Sequence, residues 1–285
     1  MNTIEITSLT KKYSDFALKN IDITIPSGTI VGLIGENGAG KTTLIKSILG
    51  IIGIDSGKIT LFNQEKNSNI NENIGVVLDN MFFPELLKPD DINKVMKNSY
   101  KNWDEMLYYS YLKDFKLPTD KAVRTFSKGM RKKLEIATAL SHHPKLLILD
   151  EPTSGLDPVV RSEILDIFLN FIQVEDHTIL LSTHITSDLE QVADYIIFID
   201  DGEIVLQDSK DSLLDNFGVL KCSENEFEKI NKKDIIRYQK TKYHYDILVQ
   251  NKKEIKLKYP NYILDKITLE ELMVLYIKGL KGEMK

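Results

Sequence analysis

The sequence predicts an α/β protein whose core alternates strands with helices. Residues 30–34 and 146–149 are nearly all apolar, which is typical of strands that are covered on both faces of a sheet. The first of these runs leads straight into a glycine-rich loop. Apolar residues at positions 44, 45, 48 and 49 then keep a helical spacing that stops at Gly50. The first unit of the core is therefore a strand, a loop and a helix.

Segments around this unit predict further elements. Residues 3–8 and 21–25 alternate apolar with polar side chains, which predicts two half-buried strands. Residues 63–73 hold five asparagines and almost nothing apolar, so we expect an exposed loop there, followed by a strand at 74–78. Aromatic and aliphatic residues at spacings of three and four then predict a small helical subdomain at about 85–135.

The second half of the chain continues the alternation. Asp157 and Pro158 predict the N-cap and the first turn of a helix with one apolar face. Strands are expected at 178–182 and 195–199, and the second of these forms a hairpin with residues 203–206.

Beyond residue 209 the character of the sequence changes. Lysine and glutamate cluster, strands of the buried type give way to an alternating segment at 243–249, and residues 269–280 form an amphipathic helix. We therefore expect the α/β domain in residues 1–208 and a small accessory α+β region in residues 209–285.

The composition narrows the class of protein. Lys and Arg total 37 against 42 Asp and Glu, a net charge of −5, so no nucleic-acid partner is expected. The single Cys222 cannot form an internal disulfide, which indicates a reducing compartment. The apolar runs are far shorter than the roughly 18–20 residues of a membrane span, and the first residues lack a signal-peptide pattern. We expect a cytoplasmic protein that reaches a membrane only through a partner.

The glycine-rich loop predicts a phosphate site. Residues 35–42, GENGAGKT, fit the pattern G-x-x-x-x-G-K-[ST] and lie between a strand and a helix, where the chemistry requires them. Backbone N–H groups and the helix N-terminus attract phosphate oxygens, Lys41 neutralises the β and γ phosphates, and Thr42 offers a hydroxyl to Mg²⁺. The predicted ATP-binding residues of this loop are Gly35, Asn37, Gly38, Ala39, Gly40, Lys41, Thr42 and Thr43.

Two carboxylates follow the second buried strand. Asp150 ends the apolar run and can hold the hydration shell of Mg²⁺. Glu151 comes next, and because side chains alternate along a strand it points elsewhere, where it can reach the attacking water. The alternative is that the two carboxylates have no chemical role and simply form a solvent-exposed end of the strand. The phosphate loop upstream disfavours this alternative.

Taken in order, these motifs resemble the nucleotide-binding subunit of ATP-binding cassette (ABC) transporters over about residues 3–208. That family carries a serine-glycine signature before the acidic pair. Ser127 and Gly129 match it, whereas Lys128 and Met130 depart from its commonest form. The resemblance implies a P-loop ATPase fold with a RecA-like core, an antiparallel β subdomain and an α-helical subdomain. It also implies that the signature acts in trans, on the γ-phosphate held by a second cassette.

The resemblance implies further roles. Ser154 and Asp157 match the D-loop, which lies across the dimer seam, and His184 matches the switch histidine that contacts the γ-phosphate. Tyr13 stands where the family places an aromatic ring that stacks on adenine; taken alone, it is a surface residue at a strand end. Glu151 and His184 are thus the predicted catalytic residues.

One departure indicates a subfamily. After residues 74–78 the family usually has a glutamine, but this chain has Asp79, which can take a Mg²⁺-bound water. An acidic residue here resembles the pattern of bacterial exporters of antimicrobial peptides and related compounds. The T-L-E-E stretch at 268–271 is similar to the last segment of exporter-type subunits. Both features favour export over import.

The sequence therefore predicts a cytosolic subunit that binds ATP and Mg²⁺, pairs with a second cassette and drives a separate membrane permease. The expected cargo is an antimicrobial peptide, a drug or a similar compound. The alternative is a cassette ATPase of translation or DNA maintenance. The first of those classes carries two cassettes in one chain, and the second separates its motifs by long coiled coils. If the chain were an ordinary P-loop kinase or GTPase, residues 126–130, the D-loop and His184 would have no function, which disfavours that class.

Overall fold

The computed structural model describes residues 1–65, 68–79 and 83–281. The strands are β1 Asn2–Lys12, β2 Ala17–Pro26, β3 Ile30–Ile34, β4 Ser56–Leu61, β5 Gln64–Glu65, β6 Ile74–Val77, β7 Leu146–Asp150, β8 Thr178–Ser182, β9 Tyr195–Asp200, β10 Glu203–Ser209, β11 Gly218–Cys222, β12 Arg237–Lys240, β13 Tyr245–Val249, β14 Ile263–Lys266 and β15 Leu280–Lys281. The helices are α1 Lys41–Ile48, α2 Ser68–Asn71, α3 Pro89–Ser99, α4 Glu105–Asp114, α5 Lys128–Leu140, α6 Pro158–Phe171, α7 Thr186–Val192, α8 Lys210–Asn216, α9 Glu224–Phe227, α10 Lys252–Lys258 and α11 Leu269–Lys278.

The central sheet has the strand order β10-β9-β3-β8-β7-β6. Its strands pair in parallel except for β10, which forms the predicted hairpin with β9. Because parallel strands end at one edge of a sheet, the loops after β3, β7 and β8 meet there. The α/β core predicted from the sequence is confirmed.

A second, antiparallel sheet has the order β2-β1-β4-β5. Its inner face buries Ile4, Ile25 and Leu61 in one hydrophobic cluster with Leu44 and Ile45 of α1. Burial of this many aliphatic side chains is the main favourable contribution to the stability of the packing. It fixes the helix that begins at the glycine-rich loop.

The helical subdomain consists of α3, α4 and the first part of α5. Its core contains Tyr108, Leu112 and Leu134, and Trp103 packs at its border. The indole N–H of Trp103 donates a hydrogen bond of 2.8 Å to Oδ1 of Asn93. The aromatic spacing in this region therefore reflects core packing, as predicted. Among the helices described for this chain, none is both long and apolar enough to cross a membrane.

A third sheet lies beyond residue 209, with the order β14-β11-β13-β12-β15 and antiparallel pairing. It packs its own small core around Leu220 and Ile247. The adjoining helix α11 instead buries Leu269, Leu272 and Leu275 in the hydrophobic cluster of the central sheet. The accessory region is thus packed against the α/β core. Residues 282–285 lie outside the described part.

The expectation of an exposed loop at residues 63–73 is wrong as to the loop, although residues 63–65 and 71 are exposed. Strand β5 and the one-turn helix α2 fall in this segment, and the side chain of Ile70 is only 4% exposed, packed against the cluster around β1 and α1. A single isoleucine among polar residues creates no periodicity, so its burial left no pattern in the sequence. Residues 66–67 of the same segment lie outside the described residues.

Candidate nucleotide site

The glycine-rich loop lies at the carboxyl edge of the central sheet, between β3 and α1. Gly38 and Gly40 have φ values of +89° and +114°, in the left-handed region that favours glycine. A Cβ atom on Gly35 would lie 2.3 Å from the carbonyl oxygen of Ile199, so this position tolerates no side chain. The predicted phosphate residues follow in order: Gly35 to Gly40 form the loop, and Lys41, Thr42 and Thr43 form the first turn of α1.

The ammonium group of Lys41 is held inside this loop. It donates hydrogen bonds of 2.7 Å and 3.2 Å to the carbonyl oxygens of Gly35 and Glu36. It also lies 3.8 Å from Oε1 of Glu151. Burial lowers the pKa of Lys41, while Glu151 and Asp150 act to raise it. The Lys41 ammonium group therefore lies in a pocket where phosphate oxygens can replace the two carbonyl oxygens as its hydrogen-bond acceptors.

Thr42 and Asp150 meet beside the loop. The Thr42 hydroxyl donates a 2.8 Å hydrogen bond to Oδ2 of Asp150, which ends β7. The other carboxylate oxygen, Oδ1, is buried and has no hydrogen-bond partner among the described residues. An unpaired buried carboxylate oxygen is costly unless a cation or water satisfies it. Together with the hydroxyl it forms a set of hard oxygen donors that fits Mg²⁺.

Glu151 and His184 form a pair at the same edge. Nδ1 of His184 lies 2.8 Å from Oε2 of Glu151, although the two residues follow different strands, β7 and β8. Glu151 adopts φ = +51°, and its N–H donates to the carbonyl oxygen of Ser182 at 2.9 Å. A left-handed backbone at a non-glycine residue persists only where the surroundings enforce it. The strand end thus fixes where the Glu151 carboxylate points.

The signature and D-loop segments are distant in the chain but lie side by side in the fold, where a Cβ atom on Gly155 would lie 2.5 Å from Nζ of Lys128. Ser127 is the N-cap of α5 and accepts the N–H of Met130 at 3.2 Å. Gly129 faces α6: a Cβ atom there would lie 3.1 Å from Val160. Asp157 caps α6 by accepting two backbone N–H groups at 3.1 Å each, which confirms its predicted N-cap role. Ser154 is half-buried in the loop between Glu151 and α6.

Comparison with known proteins identifies the family. Residues 18–154 match the model for ABC transporters. The bacitracin transport ATP-binding protein BcrA of Bacillus licheniformis is 37% identical over 211 residues, which cover 71% of this chain and 68% of BcrA. The chain belongs to the ABC transporter family. The lantibiotic transport ATP-binding protein SrtF of Streptococcus pyogenes is 36% identical over 211 residues, covering 73% of this chain and 91% of SrtF.

Solved structures agree with this identification. The ATP-binding subunit of an ABC transporter superposes with a TM-score of 0.66 at 27% identity, over 73% of this chain and 90% of its own. This chain is therefore an ATP-binding cassette with ATPase activity, and its predicted fold class and enzyme class are confirmed.

The described contacts of two predicted cassette residues, Tyr13 and Asp79, are with residues outside the central cluster. Tyr13 follows β1, and its ring is 49% exposed with the Lys11 ammonium 5.5 Å from the ring centroid. Asp79 is exposed just after β6 and acts electrostatically on Glu135 of α5. Burial raises the pKa of Glu135, Lys132 opposes that rise, and Asp79 adds to it. The described contacts thus place Asp79 beside the helical subdomain.

A buried network behind the Glu151–His184 pair has no signal in the sequence. Asp188 of α7 is 1% exposed and accepts a 2.6 Å hydrogen bond from the hydroxyl of Thr153. Arg161 of α6 pairs with the same carboxylate. Thr153 and Asp188 each lie a few residues after a motif residue, yet nothing in their spacing predicts that they meet.

Proposed function

We propose that this chain is the ATPase subunit of an exporter, and that it drives a peptide antimicrobial or a similar compound through a separate membrane permease. The observation that carries the ATPase site is the convergence of Lys41, Thr42, Asp150, Glu151 and His184 at one sheet edge. The cargo class is supported by the transport functions named for BcrA and SrtF.

ATP binds through its phosphates to the loop and through its base to Tyr13. The backbone N–H groups of residues 35–43 and the Lys41 ammonium surround the phosphate oxygens. Thr42 and Asp150 would hold Mg²⁺, and Asp79 would bind one of its water ligands. Bound Mg²⁺ supplies positive charge next to the β and γ phosphates. The exposed Tyr13 ring offers a face on which adenine stacks.

Hydrolysis uses the Glu151–His184 pair. Glu151 orients and polarises the attacking water with Oε1, which is buried and has no hydrogen-bond partner among the described residues. His184 faces the γ-phosphate and keeps the other carboxylate oxygen in place. When phosphate arrives, Lys41 exchanges the carbonyls of Gly35 and Glu36 for phosphate oxygens. Catalysis here rests on positioning and electrostatics.

A second cassette completes each site. Ser127 and Gly129 begin α5, and the N-terminus of a helix attracts phosphate. In a head-to-tail pair these residues face the γ-phosphate bound by the other copy, with Ser154 and Asp157 at the seam. All motifs are present in one chain, so a homodimer carries two complete sites.

The permease docks in a groove between the central sheet and the helical subdomain. The groove has a volume of about 440 Å³. It is lined mainly by apolar side chains, among them Ile51, Val76, Phe83, Met96 and Tyr100. A short apolar helix of a membrane subunit fits such a groove. Docking here places the cassette, residues 1–208, on the cytoplasmic face of the membrane, with residues 209–285 as its accessory region.

Reconstitution tests the exporter assignment. The chain is purified with the membrane protein encoded beside it and placed in liposomes, and ATP hydrolysis is measured with bacitracin, a lantibiotic and unrelated amphipathic peptides. We expect one antimicrobial class to stimulate hydrolysis, and Glu151→Gln to abolish the stimulated rate. Stimulation by RNA or DNA instead, with no peptide effect, would favour the non-transport alternative.

A further inference from the structure

Helix α7 connects the switch histidine to two other parts of the molecule. It begins two residues after His184, whose ring contacts Glu151 at 2.8 Å. A shift of α7 relative to β7 therefore moves His184 relative to Glu151. The contacts that hold α7 in place therefore also determine the geometry of the Glu151–His184 pair.

The first turn of α7 is fixed to the loop that carries Glu151. Asp188 accepts from the Thr153 hydroxyl at 2.6 Å and pairs with Arg161 of α6. Arg161 also donates to the hydroxyl of Ser187 at 2.6 Å. Hydrogen bonds to a buried charge are stronger than neutral ones, so this end of α7 moves with the β7–α6 loop.

The second turn of α7 is fixed to the accessory region. Oε1 of Glu190 accepts a 2.8 Å hydrogen bond from the backbone N–H of Leu269, the first residue of α11. The backbone carbonyl oxygen of Glu190 accepts another, also 2.8 Å, from the Lys210 ammonium at the start of α8. Both donors belong to residues 210–281, so Glu190 is one point at which the two parts are tied.

Packing reinforces the same connection. Leu189 is fully buried in one cluster with Leu269, Leu272 and Leu275 of α11. On its other side it touches β3, where a Cβ atom on Gly32 would lie 2.7 Å from its methyl groups. Close-packed side chains transmit displacement because the interior has little free volume. Helix α7 is therefore clamped between α11 and the strand that leads into the phosphate loop.

We propose that residues 210–281 hold α7, and through it His184, in the geometry required for ATP hydrolysis, and that Glu190 is the positioning residue of this connection. The inference rests on the proposed role of His184. It assigns a function in catalysis to the accessory region. Glu190 contacts neither the nucleotide nor the attacking water, and it affects hydrolysis only by holding α7 in place.

The test compares Glu190→Ala with Glu190→Gln in the full chain. Glutamine keeps an oxygen acceptor for the Leu269 N–H, whereas alanine removes it. Gln191→Ala, an exposed position on the same helix, is the matched control. Single-turnover hydrolysis at saturating MgATP gives the rate, and titration with ATP gives the Kd. We expect Glu190→Ala to lower the rate by about ten-fold, less than the roughly hundred-fold effect of an ångström-scale misplacement.

Three further results are expected if the inference holds. The Kd of Glu190→Ala for ATP stays unchanged, because the phosphate loop and Lys41 are untouched. Glu190→Gln keeps the parental rate. Glu190→Ala lowers the rate no further when it is combined with His184→Ala. A partly unfolded variant would instead lose ATP binding along with the rate.

Other results overturn the inference. Three results would each contradict the proposed role of Glu190 without affecting the proposed role of His184. They are equal rates in Glu190→Ala and Gln191→Ala, a parallel loss of rate and ATP binding, and an additive effect with His184→Ala. A parental rate in His184→Ala would contradict the proposed role of His184 as well.

Discussion

Replacing Glu151 with glutamine tests both the chemistry and the electrostatics of the site. In the parent, the Glu151 carboxylate lies 3.8 Å from the Lys41 ammonium, and both side chains are largely buried, 13% and 6% exposed. At an effective dielectric constant of about 20, two unit charges at this separation of 3.8 Å attract by about 4 kcal/mol. Glutamine removes this attraction but keeps the shape of the side chain and an oxygen acceptor for His184.

Two opposite effects follow from the single change. Loss of a general base lowers the rate of hydrolysis by about 10²- to 10⁴-fold. ATP binding should tighten, because phosphate no longer competes with a carboxylate for Lys41. If a quarter of the Coulomb attraction survives solvation, about 1 kcal/mol, the Kd for ATP falls about five-fold. Tighter binding without turnover also traps the ATP-bound dimer.

Single-turnover hydrolysis, calorimetric titration with ATP and size-exclusion chromatography measure these three quantities. Asp166→Asn makes the same change of charge at an exposed site on α6 and should leave all three unchanged. Undiminished hydrolysis in Glu151→Gln would refute its role as the base. Weaker ATP binding would refute the competition for Lys41, whatever the rate.

Three further substitutions test the adenine site, a buried ion pair and a tight contact. Tyr13→Leu should weaken ATP binding about 5- to 160-fold by removing about 1–3 kcal/mol of stacking, while Tyr13→Phe keeps it; equal Kd values would exclude the stack. Lys132→Met leaves the buried Glu135 carboxylate without its 2.9 Å partner. It should cost about 3–5 kcal/mol in urea unfolding at pH 8. Burial already raises the pKa of Glu135, so the carboxyl takes up a proton as the pH falls. The loss of unfolding free energy in Lys132→Met should therefore be smaller at pH 5 than at pH 8. A loss that does not change with pH would contradict this. Gly32→Ala should destabilise by about 1–3 kcal/mol through its clash with Leu189. The double variant Gly32→Ala/Leu189→Ala should lose less stability than the sum of the two single variants, because the clash is absent from it. A neutral Gly32→Ala would show that Leu189 moves to accommodate the methyl group.

The sequence predicts well those parts of the site that depend on local geometry. The strand, loop and helix around Lys41 are encoded by apolar runs and by glycines that adopt positive φ values. The placement of Asp150 and His184 at one edge follows from strand direction, because both come at the ends of parallel strands. Local pattern and sheet topology together are enough to bring these residues to one edge.

Contacts between distant segments are not encoded in this way. Thr153 and Asp188 meet through the packing of α6 against α7, and neither has a periodic or compositional signal. In the accessory region, the sequence indicates β13 and α11, but β12, β14 and β15 are too short for alternation to appear. Ile70 illustrates the same limit, because one buried side chain has no period.

The packing of Leu189 on α11 has a consequence for how the subunit is made. The leucines that cover Leu189 are synthesised about 80 residues after it, which at about 5–20 residues per second takes roughly 4–16 s. During those seconds the nascent chain already contains the phosphate loop, Glu151 and His184, while α7 still exposes an aliphatic face. A newborn cassette therefore still lacks the helix that covers this apolar face. A pause in translation beyond Leu189 lengthens that stage.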